Sequence, residues 1–365
     1  MSTASPCPAL DVASVPPFSL AGESRRSFLK EHLAALTAWH RASCPAYARI
    51  LDAMGVGAVD GSPESLPFLP VPLFKTIDLR SVPDSQVTRV LTSSGTSGRP
   101  VSRIALDSAT SVLLGQAFVA VTRDLLGATR RPMMILDSRD VLHGAARGTA
   151  RAAAVLGFAP FGRDHFYALD ADLRPNWDAV RAWLDRQGTQ PILLFGFTFI
   201  VWQCFVQAAR EQGISLTLPK GSLLLHGGGW KRMADQAVSP QDFADTLAQT
   251  FALQDVRNYY GMVEQTGAVF MSCPHGRLHV PCYADVLVRD PASLRPLPQG
   301  ESGLLQVMSI LPRSYPGHVL LSEDLGAVTG EDDCPCGRPG KTVRIEGRLP
   351  AAELRGCSET RVVGG

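Results

Sequence analysis

The chain has 365 residues, 45% of them hydrophobic and 19% charged, with a formal net charge of +1. That length and apolar share suffice for a large core in one big domain or two fused ones, and the near-neutral charge argues against a surface built mainly for nucleic acid. No basic segment followed by an apolar run opens the chain and no stretch of about 20 apolar residues is free of charge, so neither a signal peptide nor a membrane span is expected. Eight cysteines, irregularly spread, read as a reduced cytoplasmic complement rather than a disulfide framework.

Residues 1–20 carry several prolines and read as an irregular arm. From Ser24, the residues Leu29, Leu33, Leu36 and Trp39 or His40 recur at helical spacing, which predicts an amphipathic helix packed on a larger body. A short helix with Tyr47, Ile50 and Leu51 follows Pro45, and the proline-rich run 62–72 is extended. Lys75, after Val71-Pro-Leu-Phe, has the reach for a phosphate, but a lone lysine beside an apolar run reads first as a solvated edge.

The stretch Leu91 to Asp107 then packs hydroxyls and glycines into a loop after an apolar-alternating run. Gly95 and Gly98 permit backbone conformations that let successive N–H groups face one concavity, and Thr92, Ser93, Ser94, Thr96 and Ser97 add donors. This outlines a phosphate cradle, although no lysine closes it as in a P-loop, and a Ser/Gly turn is the plain alternative.

Beyond the cradle, strands and helices alternate as in a mostly parallel sheet covered on both faces. Expected elements are a strand 132–136 ending at Asp137, a helix over 143–157, a helix Trp177 to Gln187, and a strand 191–195 whose following Gly196-Phe-Thr-Phe opens a helix. A strand Ser222 to Leu225 runs into His226-Gly-Gly-Gly-Trp-Lys231, followed by a helix over 239–251. Gly227, Gly228 and Gly229 allow a flat ligand such as adenine to approach, or make a tight strand-to-helix turn. In Tyr259-Tyr260-Gly261, an aromatic ring suits stacking on adenine, and Glu264 suits holding Mg²⁺ against phosphate oxygens. After Met271 the strands 284–288, 303–308 and 318–321 suggest a small β subdomain. Cys273, Cys334 and Cys336 with His279, or His275 in its place, offer a tetrahedral structural Zn²⁺ site, and Cys282 is a less favoured spare.

Taken in order, the Ser/Thr/Gly loop, Tyr260-Gly-Met-Val-Glu264, Ser322-Glu-Asp324 and Gly347-Arg348 resemble the signature motifs of the adenylate-forming enzymes. Within them the sequence is similar to the acyl-protein synthetases of bacterial luminescence. The match rests on Val71-Pro-Leu-Phe-Lys75, Thr92 to Gly98, Leu225 to Lys231, Tyr260 to Gly267, Cys334-Pro-Cys-Gly-Arg338, and Gly347-Arg348 with Glu353-Leu-Arg-Gly-Cys357. The resemblance implies the α/β N-terminal domain of that superfamily plus the small β subdomain, without the C-terminal lid domain that usually follows the Gly-Arg hinge. The corresponding division is an arm and helices over 1–90, a nucleotide-binding core over 91–270, the β subdomain over 271–345 and a hinge-like tail over 346–365. It further implies that Ser93, Ser94, Gly95, Thr96, Ser97 and Gly98 hold the triphosphate, Gly227 to Gly229, Tyr260 and Gly261 the adenine, Asp324 the ribose, Glu264 the Mg²⁺, with Arg348 near the nucleotide.

The expected function is therefore ATP-dependent activation of a carboxylic acid, fatty or otherwise apolar, to an acyl-AMP with release of pyrophosphate. The acyl group then passes to Cys357, where the neighbouring Arg355 favours the thiolate, for delivery to a reductase, a carrier protein or CoA. A small acyl- or aryl-CoA ligase is the alternative within that chemistry. A nucleotide-binding regulatory or carrier protein without turnover is the alternative outside it.

Overall fold

The computed structural model describes residues 7, 9–93, 101–144, 149–230 and 237–349. Ser94 to Gly98, Lys231 and Cys357 lie outside them.

In chain order the elements begin with helices α1 (Gly22–Ser43) and α2 (Pro45–Ala53), strand β1 (Leu69–Pro70) and a 3-10 turn over Val71–Lys75. Strands β2 (Val87–Thr92) and β3 (Arg103–Asp107) form an antiparallel pair that flanks the cradle, and helix α3 (Ser108–Leu126) follows. The next elements are β4 (Arg131–Ser138), α4 (Ala150–Phe158), β5 (Gly162–Leu169), α5 (Trp177–Gln187) and β6 (Leu193–Phe197). One continuous helical stretch comprises α6 (Thr198–Ile200), a π-helical segment Val201–Gln207 and α7 (Ala208–Glu211). Then come β7 (Leu223–Gly227), α8 (Pro240–Phe251) and β8 (Asp255–Tyr260). Six further strands complete the described chain: β9 (Phe270–Ser272), β10 (Leu278–His279), β11 (Ala284–Arg289), β12 (Gly303–Ser309), β13 (Val319–Glu331) and β14 (Lys341–Arg348).

One sheet runs in the order β11-β12-β13-β14-β10-β9-β8-β7-β6-β4-β5, with β1 paired to β13. Strands β4 to β8 pair in parallel and the remainder of the path is antiparallel. The strand-rich region after Met271 is thus hydrogen-bonded edge to edge with the parallel strands. Alternate residues of β4 show how the parallel half is covered: Met133 and Ile135 join a core with α1, α3 and α4, whereas Met134 and Leu136 join a second core with α5, the π segment and α8. Each fully buried aliphatic side chain contributes roughly 1.5–3 kcal/mol relative to exposure, so these two layers dominate the stability.

Helix α1 buries the Leu29, Leu33 and Leu36 stripe that its periodicity predicts, and it also buries Arg25. Arg25 donates to Ala284 O at 2.7 Å and, with Lys341, flanks the buried Asp285 carboxylate. Burial alone would raise that carboxyl, but Lys341 and Arg25 together hold it below its ordinary range. The ion group pins α1 to β11 and β14.

Several elements depart from the sequence expectation. Helix α4 begins at Ala150, where Thr149 Oγ1 accepts from Ala152 N, rather than at 143. Strand β5 opens with the polar Arg163, Asp164 and His165 and carries only the short apolar run Phe166 to Leu169. Helix α3 went unpredicted, although Asp107 caps it by accepting from Thr110 N at 2.8 Å. By length and composition, α3 is also the one described helix able to cross a membrane. Its Leu113, Leu114, Ala117, Val121 and Leu125 are nonetheless packed in the core, and Asp124 in its last turn pairs with Arg338.

Candidate active site

The carboxyl ends of the parallel strands β6, β7 and β8 lie side by side, with Phe197 opposite Gly227 and Gly227 opposite Tyr259. Along β8, successive side chains point to opposite faces. Tyr259 turns into the core against Phe158, with ring centroids 4.8 Å apart, whereas Tyr260 turns the other way beside Phe270. The Tyr260 hydroxyl donates to Asp324 Oδ2 at 2.7 Å. Asp324 on β13 pairs in register with Arg348 on β14, whose Nε donates to Asp324 Oδ1 at 3.4 Å. Three residues distant in sequence thus meet at Tyr260, the last residue of β8. Burial and the Asp324 carboxylate together push the Tyr260 hydroxyl well above its usual range, which keeps it a donor.

Glu264 sits on a 3-10 turn just beyond β8 and is 4% exposed. The turn is locked on three sides: Tyr315 Oη donates to Glu264 O at 2.9 Å, and Gln265 Nε2 donates to Val307 O and Gly317 O. Burial raises the Glu264 carboxyl, opposed by the neighbouring Ser102 hydroxyl and by the charges of Lys75 and Arg348. Ser102 Oγ itself is buried and makes no hydrogen bond of ordinary geometry among the described residues. A buried carboxylate with a buried hydroxyl beside it suits a polar or cationic group that both can face. Ser102 N also donates to Ser93 Oγ, and Ser93 N to Ser102 O, so the stem of the cradle loop is tied next to Glu264.

Lys75, read from sequence as a solvated edge, is exposed yet acts electrostatically on Glu264. The preceding Phe74 is buried edge-on against Tyr315, which sets the position of the turn that carries it. Its exposure fits the solvated edge read from sequence, and its charge lies close enough to act on Glu264.

The triple glycine divides by position. A Cβ on Gly227 would lie 2.5 Å from the Tyr259 ring, and one on Gly228 2.4 Å from the Phe197 ring. These two are small because aromatic rings pack on them. Gly229, at φ +58, meets no described residue within 4 Å, which leaves it, among the described residues, as the glycine with room beside it for a flat ring. Nearby His226 accepts from or donates to Thr198 Oγ1 at 2.9 Å, and burial lowers it to about 4. Phe195 and Trp202 are core residues, and Trp230 packs on Trp202 and Phe243. Two shallow surface hollows, one beside Val59 and Ser62 and one beside Trp177 and Arg181, include none of these site residues.

Away from this centre, Cys273, His279, Cys334 and Cys336 come together with one potential ligand atom each, all within 4.8 Å of one another. His275 is exposed on the turn and outside the group, and Cys282 Sγ instead donates to Pro16 O at 3.2 Å.

The sequence model of a family described as acyl-protein synthetase, LuxE, matches residues 4–362. A long-chain-fatty-acid–luciferin-component ligase of Vibrio harveyi is 29% identical over 324 residues, covering 86% of this chain and 81% of that protein. A protein of the same description from Aliivibrio fischeri is 30% identical over 176 residues, or 47% of this chain and 46% of that one. Among solved structures, 2-hydroxyisobutyryl-CoA ligase in an open conformation superposes with a TM-score of 0.65 at 18% identity, covering 91% of this chain and 76% of that one. That likeness is one of fold, the N-terminal part of an adenylate-forming ligase. With a family match across nearly the whole chain, this protein belongs to the acyl-protein synthetase (LuxE) family and is a ligase.

Proposed function

We propose that the chain converts a carboxylic acid and ATP to an acyl-AMP and pyrophosphate, and then transfers the acyl group to a thiol. The observation that carries this reading is the meeting of Tyr260, Asp324 and Arg348 at the end of β8, beside the buried Glu264 and the stem of the hydroxyl-rich loop. Asp324, as the ionised acceptor in that group, suits the ribose hydroxyls, and the open side of Gly229 suits the adenine. In the first step a substrate carboxylate oxygen bonds to the α-phosphorus while the bond to pyrophosphate breaks. The chain's part is alignment and neutralisation of charge: Lys75 and Arg348 face the phosphates, and the loop N–H groups and hydroxyls donate to them. Glu264 and the neighbouring Ser102 hydroxyl would hold Mg²⁺, which supplies charge neutralisation at the phosphate oxygens when bound.

In the second step a thiolate attacks the acyl carbonyl and AMP leaves. Cys357 is the proposed acceptor, in a segment outside the described residues. The names of the two relatives, long-chain-fatty-acid–luciferin-component ligases, support a long-chain fatty acid as substrate. The CoA ligases of the same fold support the second reading, in which CoA takes the acyl group directly.

The test uses ATP, Mg²⁺ and a panel of radiolabelled acids of increasing chain length. Hydroxylamine-labile label on the parent chain and none on Cys357→Ser supports the acyl-thioester. Pyrophosphate release with no protein-bound label, and AMP formation that depends on CoA, would favour the CoA ligase. No pyrophosphate with any acid would leave a nucleotide-binding protein without turnover.

A further inference from the structure

The cysteine and histidine cluster remote from the adenylation centre is not used by the chemistry above. We propose that Cys273, His279, Cys334 and Cys336 bind one structural Zn²⁺ ion that clamps the β9–β10 turn to the β13–β14 connection.

The geometry is that of a nearly closed tetrahedron. With Zn–S bonds of about 2.3 Å and Zn–N bonds of about 2.0–2.1 Å, tetrahedral angles place two ligand sulfurs about 3.8 Å apart and a sulfur and a nitrogen about 3.6 Å apart. Cys273 Sγ and Cys334 Sγ are 3.7 Å apart, and Cys336 Sγ and His279 Nε2 are 3.3 Å apart. The widest separation in the group, at most 4.8 Å, needs to close by about 1 Å to reach the same edge length. A disulfide does not account for the arrangement, since an S–S bond of about 2.05 Å would join only two of three thiols and leave the third beside the imidazole.

Local structure presents the ligands on two tight turns. Cys273 N donates to Arg277 O and Gly276 N to Cys273 O, which folds the chain so that Cys273 and His279 face the same way. In the other segment Gly337 N donates to Cys334 O, and Gly337 takes φ +79, so that Cys334-Pro-Cys336 forms a knuckle. The β10–β14 pairing, Leu278 with Val343 and His279 with Thr342, holds the two turns against each other.

Three thiolates and a neutral imidazole select zinc among the common divalent ions, and four protein ligands leave no open position for chemistry. The thiols lose their protons on binding, so the loaded site carries one net negative charge. Arg338 lies beside Cys336 and is itself anchored on Asp124, and Arg277 is held nearby by Asp333. Three of the four ligands are buried, which shields the thiolates from oxidants. The consequence for the active site is mechanical. Strand β14 begins at Lys341, just beyond the knuckle, and ends at Arg348 against Asp324.

The full-length chain, expressed with zinc and dialysed against metal-free buffer, is expected to retain about one equivalent by mass spectrometric metal analysis, with Cys273→Ser and Cys336→Ser each retaining under a tenth. Because such variants risk misfolding, the parent chain is also exchanged with Co²⁺. Intense tetrahedral d–d bands together with thiolate-to-cobalt charge-transfer absorption are expected. Stripping the metal with a chelator should speed amide exchange in β14 at least tenfold. The proposal is overturned by a parent chain that holds under a tenth of an equivalent after zinc loading, by unchanged zinc in Cys336→Ser, by a weak octahedral cobalt spectrum, or by a Cys273–Cys334 disulfide in the freshly purified chain. None of these outcomes depends on the acyl chemistry.

Discussion

Substituting alanine separately at Gly228 and Gly229 distinguishes a glycine required by packing from one that leaves room for a ligand. At Gly228, φ +79 costs an L-residue roughly 1–2 kcal/mol. The new Cβ also meets the Phe197 ring at 2.4 Å, and Phe197 is itself 4% exposed within the sheet. Such overpacking adds about 1–3 kcal/mol, for a total of about 2–5 kcal/mol. At Gly229, φ +58 carries the first term alone, because the Cβ meets no described residue within 4 Å. For a chain of 365 residues, an unfolding entropy near 2.1 cal/mol/K per residue makes 1 kcal/mol about 1.3 °C. Thermal unfolding should therefore show Gly228→Ala lower by about 3–7 °C and Gly229→Ala by about 1–3 °C. Titration calorimetry with ATP should show the reverse order of effect, Gly229→Ala weakening binding at least about tenfold, or 1.4 kcal/mol, by filling the space proposed for adenine. The reasoning fails if Gly228→Ala unfolds with the parent, or if Gly229→Ala binds ATP within twofold of it.

Asp324→Ala removes the ionised acceptor proposed for the ribose, and hydrogen bonds to a charged group are worth about 1.5–3 kcal/mol, so ATP should bind about 10–150-fold more weakly. Tyr260→Phe keeps both ring and carboxylate and should change that affinity by less than about threefold; equal effects of the two variants would sink the assignment. Lys75→Ala should slow acid-dependent pyrophosphate release at least about tenfold, with Lys75→Arg keeping more than half the parent rate, because a cation is proposed to face the phosphates. A Lys75→Ala rate within twofold of the parent would restore the solvated-edge reading. His226 is held neutral by burial at about 4, below the roughly 6.5 of the unfolded chain, so its contribution is present above about pH 6.5 and is lost as pH falls through about 4. Between about pH 7 and pH 4.5 that loss is about 2 kcal/mol, roughly 3 °C here. In His226→Phe, where Thr198 Oγ1 keeps Gly227 O as acceptor, the melting temperature should drop correspondingly less; an identical drop would refute the assignment.

Periodicity, caps and turn residues determined much of the local structure. The Leu29, Leu33, Leu36 stripe placed α1, the apolar run 132–136 placed β4, and the order of four short motifs identified the family. Elements whose local signal was weak were not legible. Strand β5 begins with a polar half and is held by its pairing with β4, and β9 and β10 are too short to show alternation. Tertiary structure also decided the continuity of the sheet, because pairing of β8 with β9 and of β10 with β14 is a matter of register between distant segments. The same holds for the site. Sequence named Tyr260, Glu264, Asp324 and Arg348 one by one, but only the fold pairs Asp324 with Arg348 across β13 and β14 and sets that pair against Tyr260. Sequence could not separate the three glycines, which differ by the rings they meet, nor choose His279 over His275, which depends on the β10–β14 register.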